Sequence, residues 1–148
     1  MNVSKNISDA LKKSGWHPQR KVNADEIVSV LSEEGYSLNE LEVDFFENFA
    51  FLEIEHPAFR VEGQFDRMHL NPIEACANIY RERVETYENR TGESLVVIGE
   101  IYSGHLTLML SHSGKVYGGY DNFLTLLGES FEAALENIFN KRESNEIP

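Results

Sequence analysis

The amino-acid sequence predicts an α+β fold, with one domain over residues 1–148 and a mostly antiparallel sheet of about five strands flanked by helices. Three observations carry this. The apolar period is 3.6 as far as Phe49 and then switches to two. The elements come in runs (three helices, two strands, one helix, three strands, one helix), whereas a doubly wound parallel sheet needs strict alternation. At 148 residues the chain suits a single domain, which buries roughly 68–70% of its unfolded surface and needs no disulfide or metal to hold it together.

The first helix carries Val3, Ile7, Leu11 and Ser14 on one face and closes at Gly15. Asn23 is the candidate N-cap of the second, with Asp25 and Glu26 in its favourable first turn, Ile27, Val28 and Leu31 as its stripe, and Gly35 at its end. Ser37 or Asn39 caps the third, which turns Leu41, Phe45 and Phe49 inward and Glu40, Asp44 and Glu47 outward. FAFLEIEH then alternates, with Leu52 and Ile54 on one side and Phe51, Glu53 and Glu55 on the other, until Pro57 breaks the strand. QFDRMHL is the second strand. Asn71-Pro72 starts a helix that runs to Thr91-Gly92 with Cys76, Tyr80, Val84 and Tyr87 inward. SLVVIGEIY, apolar on both faces, is a central strand. HLTLMLS sets Leu106, Leu108 and Leu110 against His105, Thr107 and Met109, and KVYGGY completes a meander after the turn SHSG. The last helix starts near Ser130 with Phe131, Leu135, Ile138 and Phe139 inward, and residues 141–148 form a polar tail expected to fray.

The chain has 25 acidic and 13 basic residues, a net charge of −12. Ten of the acids lie between Val22 and Phe59: Asp25, Glu26, Glu33, Glu34, Glu40, Glu42, Asp44, Glu47, Glu53 and Glu55. No lysine or arginine interrupts them, so the rest of the chain carries 15 acids against 13 bases, a net of −2. A solvated helix face normally mixes signs, as Arg81-Glu82-Arg83 does here. A one-signed face tolerates repulsion, such as Glu40 on Asp44 at i, i+4, of about 0.2–0.5 kcal/mol. That pattern points to a surface for a cationic partner. It excludes nucleic acid as a direct ligand, which needs clustered lysine and arginine. The apolar runs fall far short of the ~20 residues of a membrane span, and no signal-peptide pattern opens the chain. A cytoplasmic protein is expected.

Little in the sequence points to catalysis or a cofactor. The five histidines (His17, His56, His69, His105 and His112) show no metal-binding spacing, and no metal or other cofactor is expected. Cys76, the one cysteine, sits at a core position as a small hydrophobe. There is no nucleophile elbow and no phosphate-cradling glycine loop. A carboxylate pair for acid–base work remains an alternative among so many acids.

Several passages in order resemble one family: Gly15-Trp16, Pro18 and Arg20; FFENFAFLEIEHP; ESLVVIGEIYSGHLTLMLSHSGKVYG; and LGESFEAALENI. Over residues 10 to 140 the chain resembles the SUKH superfamily, and within it the third subgroup of bacterial SUKH immunity proteins. It departs from the family at Asn48-Phe49-Ala50-Phe51, where members commonly carry a glycine-rich passage. The resemblance implies a non-catalytic α+β protein that neutralises a cognate toxin in the cell that makes it. Family and charge together imply a basic nuclease as that toxin. Trp16 is expected to be buried, docking the first helix onto the sheet, with Arg20 pairing with a nearby carboxylate. The expected partner surface has two parts. One is the helical face of Glu33, Glu34, Glu40, Asp44 and Glu47. The other is the less apolar sheet face with Glu53, Glu55, His105 and Thr107, where family members are concave. An intracellular scaffold or regulatory module is the alternative, and a small hydrolase a third reading.

Overall fold

Capping chemistry sets where the helices begin. The structure, a computed structural model, describes residues Met1–Pro148. Helix α1 (Lys5–Lys13) buries Ile7 and Leu11, and its first turn is held from outside: the Ser4 N–H and hydroxyl donate to the Glu136 carboxylate at 2.9 and 3.0 Å. Helix α2 (Asp25–Glu33) buries Ile27 and Leu31. Asn23 serves as a turn residue rather than the N-cap, accepting from the Asp25 N–H at 2.8 Å. Helix α3 (Glu40–Phe49) opens with a full capping box, in which the Glu42 N–H donates to Asn39 Oδ1 (3.1 Å) and the Asn39 N–H donates to Glu42 Oε1 (2.8 Å).

The box turns Glu42 inward, so α3 is rotated from the expected face. Phe46 is fully buried in place of Leu41, which is 41% exposed. Phe45 and Phe49 pack on Phe131 at centroid distances of 4.9 and 4.8 Å. The helix ends where Phe51 takes φ +71°, a left-handed backbone that a glycine would adopt without strain. This lies in the passage where the family resemblance leads one to expect glycine. Arg20 does not pair with a carboxylate. Its guanidinium donates to the Asn48 and Ala50 carbonyls at 2.9 and 2.7 Å and caps α3. Trp16 is half-buried and docks on α3 rather than the sheet, stacked on Phe49 at 5.9 Å.

The sheet is an antiparallel meander of six strands in sequence order: β1 (Glu53–Pro57), β2 (Phe65–His69), β3 (Leu95–Ile101), β4 (Leu106–Ser111), β5 (Val116–Tyr120) and β6 (Phe123–Gly128). This is one more than expected. The sixth, Phe123–Gly128, returns through the two-residue turn Asp121-Asn122, with Tyr120 paired to Phe123. Its interrupted burial hides the alternation that marks a strand in sequence.

Two short helices lie between β2 and β3, α4 (Pro72–Ala77) and α5 (Arg81–Thr91), where the sequence suggests one. Asn78 ends α4 and turns its amide to Glu100, while Tyr80 becomes the extended N-cap of α5, 83% exposed rather than inward. Cys76, Val84 and Tyr87 are buried as expected. Helix α6 (Phe131–Phe139) follows β6. The tail is tied down at its end rather than frayed throughout: the Ile147 N–H donates to the Leu124 carbonyl at 2.7 Å and Thr125 Oγ1 to the Asn145 carbonyl at 2.9 Å.

Directly paired residues of antiparallel strands share a face. The register Glu53–His69–Glu100–Thr107–Gly119 therefore marks one side of the sheet. Tyr87 of α5 packs against Gly119 on that side. His56, on the other side with Ile54, meets Phe139 of α6. No helix is long and apolar enough to cross a membrane.

Candidate functional site

Of the ten acids between Val22 and Phe59, two are paired: Glu42 with His112 and Glu55 with Lys13, the latter at 3.3 Å. The other eight (Asp25, Glu26, Glu33, Glu34, Glu40, Asp44, Glu47 and Glu53) have no cation within 4.0 Å, since none takes part in any ion pair of the chain. Seven of these eight are exposed and Glu47 is half-buried. Placement sharpens the asymmetry. Glu33 and Glu34 stand at the C-terminal end of α2, whose last turn has no basic residue. Free carbonyls give that end partial negative charge, so acids there oppose the helix dipole. Glu40 sits at the favourable N-terminal end of α3, while Asp44 and Glu47 lie further along it without a counter-charge.

Glu42 is the exception, and a structural one. It is fully buried, bonded to the Asn39 N–H, with a carboxylate oxygen 2.9 Å from His112 Nδ1. Burial pushes its carboxyl above the ordinary value, against the pull of the bonds from Asn39 and His112. The folded state therefore holds the proton more tightly than the unfolded chain does. The stability this contributes is full below the unfolded value of about 4.3 and is lost as pH rises through the raised folded value. Glu42→Gln keeps an acceptor for the capping box and removes the titration. The variant is expected to gain stability relative to the native chain as pH rises from about 4 to about 8. Thermal unfolding of both across that range checks it, and a constant difference contradicts it.

On the α5 side of the sheet a polar cleft of about 800 Å³ lies between β2–β5 and the α4–α5 junction. His105 and Thr107 line it as expected, though Thr107 is only 8% exposed and contributes floor rather than surface. Glu53, in register with His69, and Glu55 lie outside it. The centre of the cleft is Glu100, 6% exposed, which sequence reasoning missed. Its signal was a single carboxylate inside the apolar run SLVVIGEIY. His69 Nε2 donates to Glu100 Oε1 at 2.8 Å, and the Asn78 amide donates to both Glu100 oxygens at 3.3 and 3.2 Å. The Asn71 N–H donates to His69 Nδ1 at 3.1 Å, which places the ring proton on Nε2.

Glu74 Oε2 lies 3.8 Å from His69 Nε2, and the donor atoms of His69, Glu74 and Glu100 all fall within 4.8 Å of one another. Such a donor set meets the distance requirement for a metal, but His69 faces the centre with Nε2–H while its Nδ1 accepts from Asn71, so ligation there would have to displace that proton and give up the Asn71 bond. Ser103, His69, His105 and Asp121 all line the cleft, but His69 bonds Glu100 and Asn71, with no side-chain hydrogen bond from the serine or the aspartate to either histidine, and no cysteine lines it.

A family model described as SUKH-3 immunity protein matches residues 3–141. No curated protein and no solved structure matches the chain.

Proposed function

This chain belongs to the SUKH-3 immunity protein family, and on that footing we propose that it binds a cognate protein toxin in the cytoplasm of the producing cell and blocks it without catalysing a reaction. The principal docking surface in this reading is the helical face of Glu33, Glu34, Glu40, Asp44 and Glu47. The sheet face with Glu53, Glu55, His105 and Thr107 is a second contact region. The toxin is a basic domain, a nuclease by preference, because a nuclease presents a cationic cleft to phosphate and a carboxylate array can occupy it.

One observation carries the reading: eight unpaired acids in a stretch with no basic residue. Such a field steers a cationic partner, raising association rates by ~10–10³-fold at low salt. Co-expression tests the function. Cells making the toxin encoded beside this protein are expected to survive only when this protein is present, and the two are expected to co-purify. Survival without a stable complex contradicts neutralisation by binding.

A further inference from the structure

We infer that the sheet-face cleft is a receptor for one arginine side chain of the protein partner, with Glu100 as the counter-ion on its floor. This deepens the proposed function and rests on it for the identity of the partner.

Glu100 is almost wholly buried, yet no lysine or arginine pairs with it. Its hydrogen-bond donors are the Asn78 amide, which has no charge to give, and His69, which presents Nε2–H while its Nδ1 accepts from the Asn71 N–H. Arg67 and Arg83 also line the cleft, but neither comes within 4.0 Å of Glu100 or Glu74. A desolvated carboxylate satisfied by dipoles alone is oriented but not neutralised, and an incoming cation gains what the protein leaves unmatched.

The choice of cation follows from the surroundings. Glu74 brings a second carboxylate to the same point. A metal ion is disfavoured by the Nε2–H that faces it. A guanidinium suits both carboxylates, since it donates in a planar fork, is weakly hydrated and stacks on aromatic faces. Tyr80 and Tyr120, 83% and 54% exposed, line the cleft and supply those faces. Arg67 and Arg83 then act as a filter, because a run of basic residues would be repelled where a single arginine flanked by neutral or acidic residues is not.

The test needs no toxin. The native protein, labelled for NMR, is titrated with N-acetyl-arginine amide and separately with N-acetyl-citrulline amide, the neutral isostere. Arginine is expected to shift the Asn78 side-chain amide and the backbone amide of Gly104, which lies beside Glu100; citrulline is expected to shift neither. Glu100→Gln is expected to weaken the arginine response about tenfold or more. Glu74→Gln, at an exposed position, is expected to weaken it less and serves if the first variant fails to fold. Equal responses to arginine and citrulline overturn the proposal, as does an unchanged response in the foldable variants. So does stoichiometric saturation of the same resonances by zinc chloride. Failure here leaves binding through the acidic helices standing, and failure of toxin binding leaves this titration standing.

Discussion

Alanine at Gly99 is expected to prevent stable folding. A Cβ there would lie 2.0 Å from the His69 carbonyl oxygen and 3.0 Å from Leu70 Cα, both backbone atoms. Neither can retreat. His69 makes the only register pair between β2 and β3, opposite Glu100. Leu70 is held on both sides, its N–H donating to Leu52 at 2.9 Å and its carbonyl accepting from Phe51 at 2.7 Å. Overpacking a core commonly costs about 1–3 kcal/mol where side chains can shift. Here strand must part from strand, so the cost belongs above that range, within a total stability of only ~5–15 kcal/mol. The expected readout is loss of soluble protein or a fall in Tm of about 10 °C or more. A variant melting within about 2 °C of the native chain would mean that β2 does not lie against β3 at His69 and Glu100. The same contact seats His69 beside Glu100, so the cleft inherits its geometry from this glycine.

Local chemistry was legible in the sequence and convergence was not. Asn39, one of the two caps offered for α3, and Asn71 before Pro72 announce their helices because a cap is a short-range bond. Cys76, Val84 and Tyr87 follow a helical period and are buried. The period overran at Asn78, where a tertiary bond to Glu100 outweighs helix continuation. It also misplaced Leu41, because the buried Glu42–His112 contact rotates α3. The acidic face of α3 could be read from charge and spacing alone. The cleft could not, because His69, Glu74, Asn78 and Glu100 come from four elements or junctions and meet only through strand register. His105 and Thr107 pointed to it because Thr107 is in register with Glu100 on its floor and His105 stands in the turn just before the same strand.

Reversing Glu40, Asp44 and Glu47 to lysine is expected to leave the fold intact, since none of the three has a salt-bridge partner to lose, Glu40 and Asp44 are exposed and Glu47 is only half-buried. It is expected to slow toxin association by ~10-fold or more at low salt, with a smaller effect on dissociation, because steering acts on encounter. The loss should shrink as salt rises, since screening limits these charges to a reach of about 8 Å at physiological ionic strength. The control must match the charge change without touching structure. Glu85, Glu132 and Glu143 serve, lying outside the acidic stretch and unpaired. Glu136 does not, because it holds the start of α1 through Ser4. The decisive measurement is the association rate constant with the cognate toxin, for the native chain and both triple variants, across a salt series. The account predicts a steep, salt-dependent loss for Glu40, Asp44 and Glu47 and little change for the control. Equal losses in both variants, or none in either, would contradict a docking surface on the acidic helices.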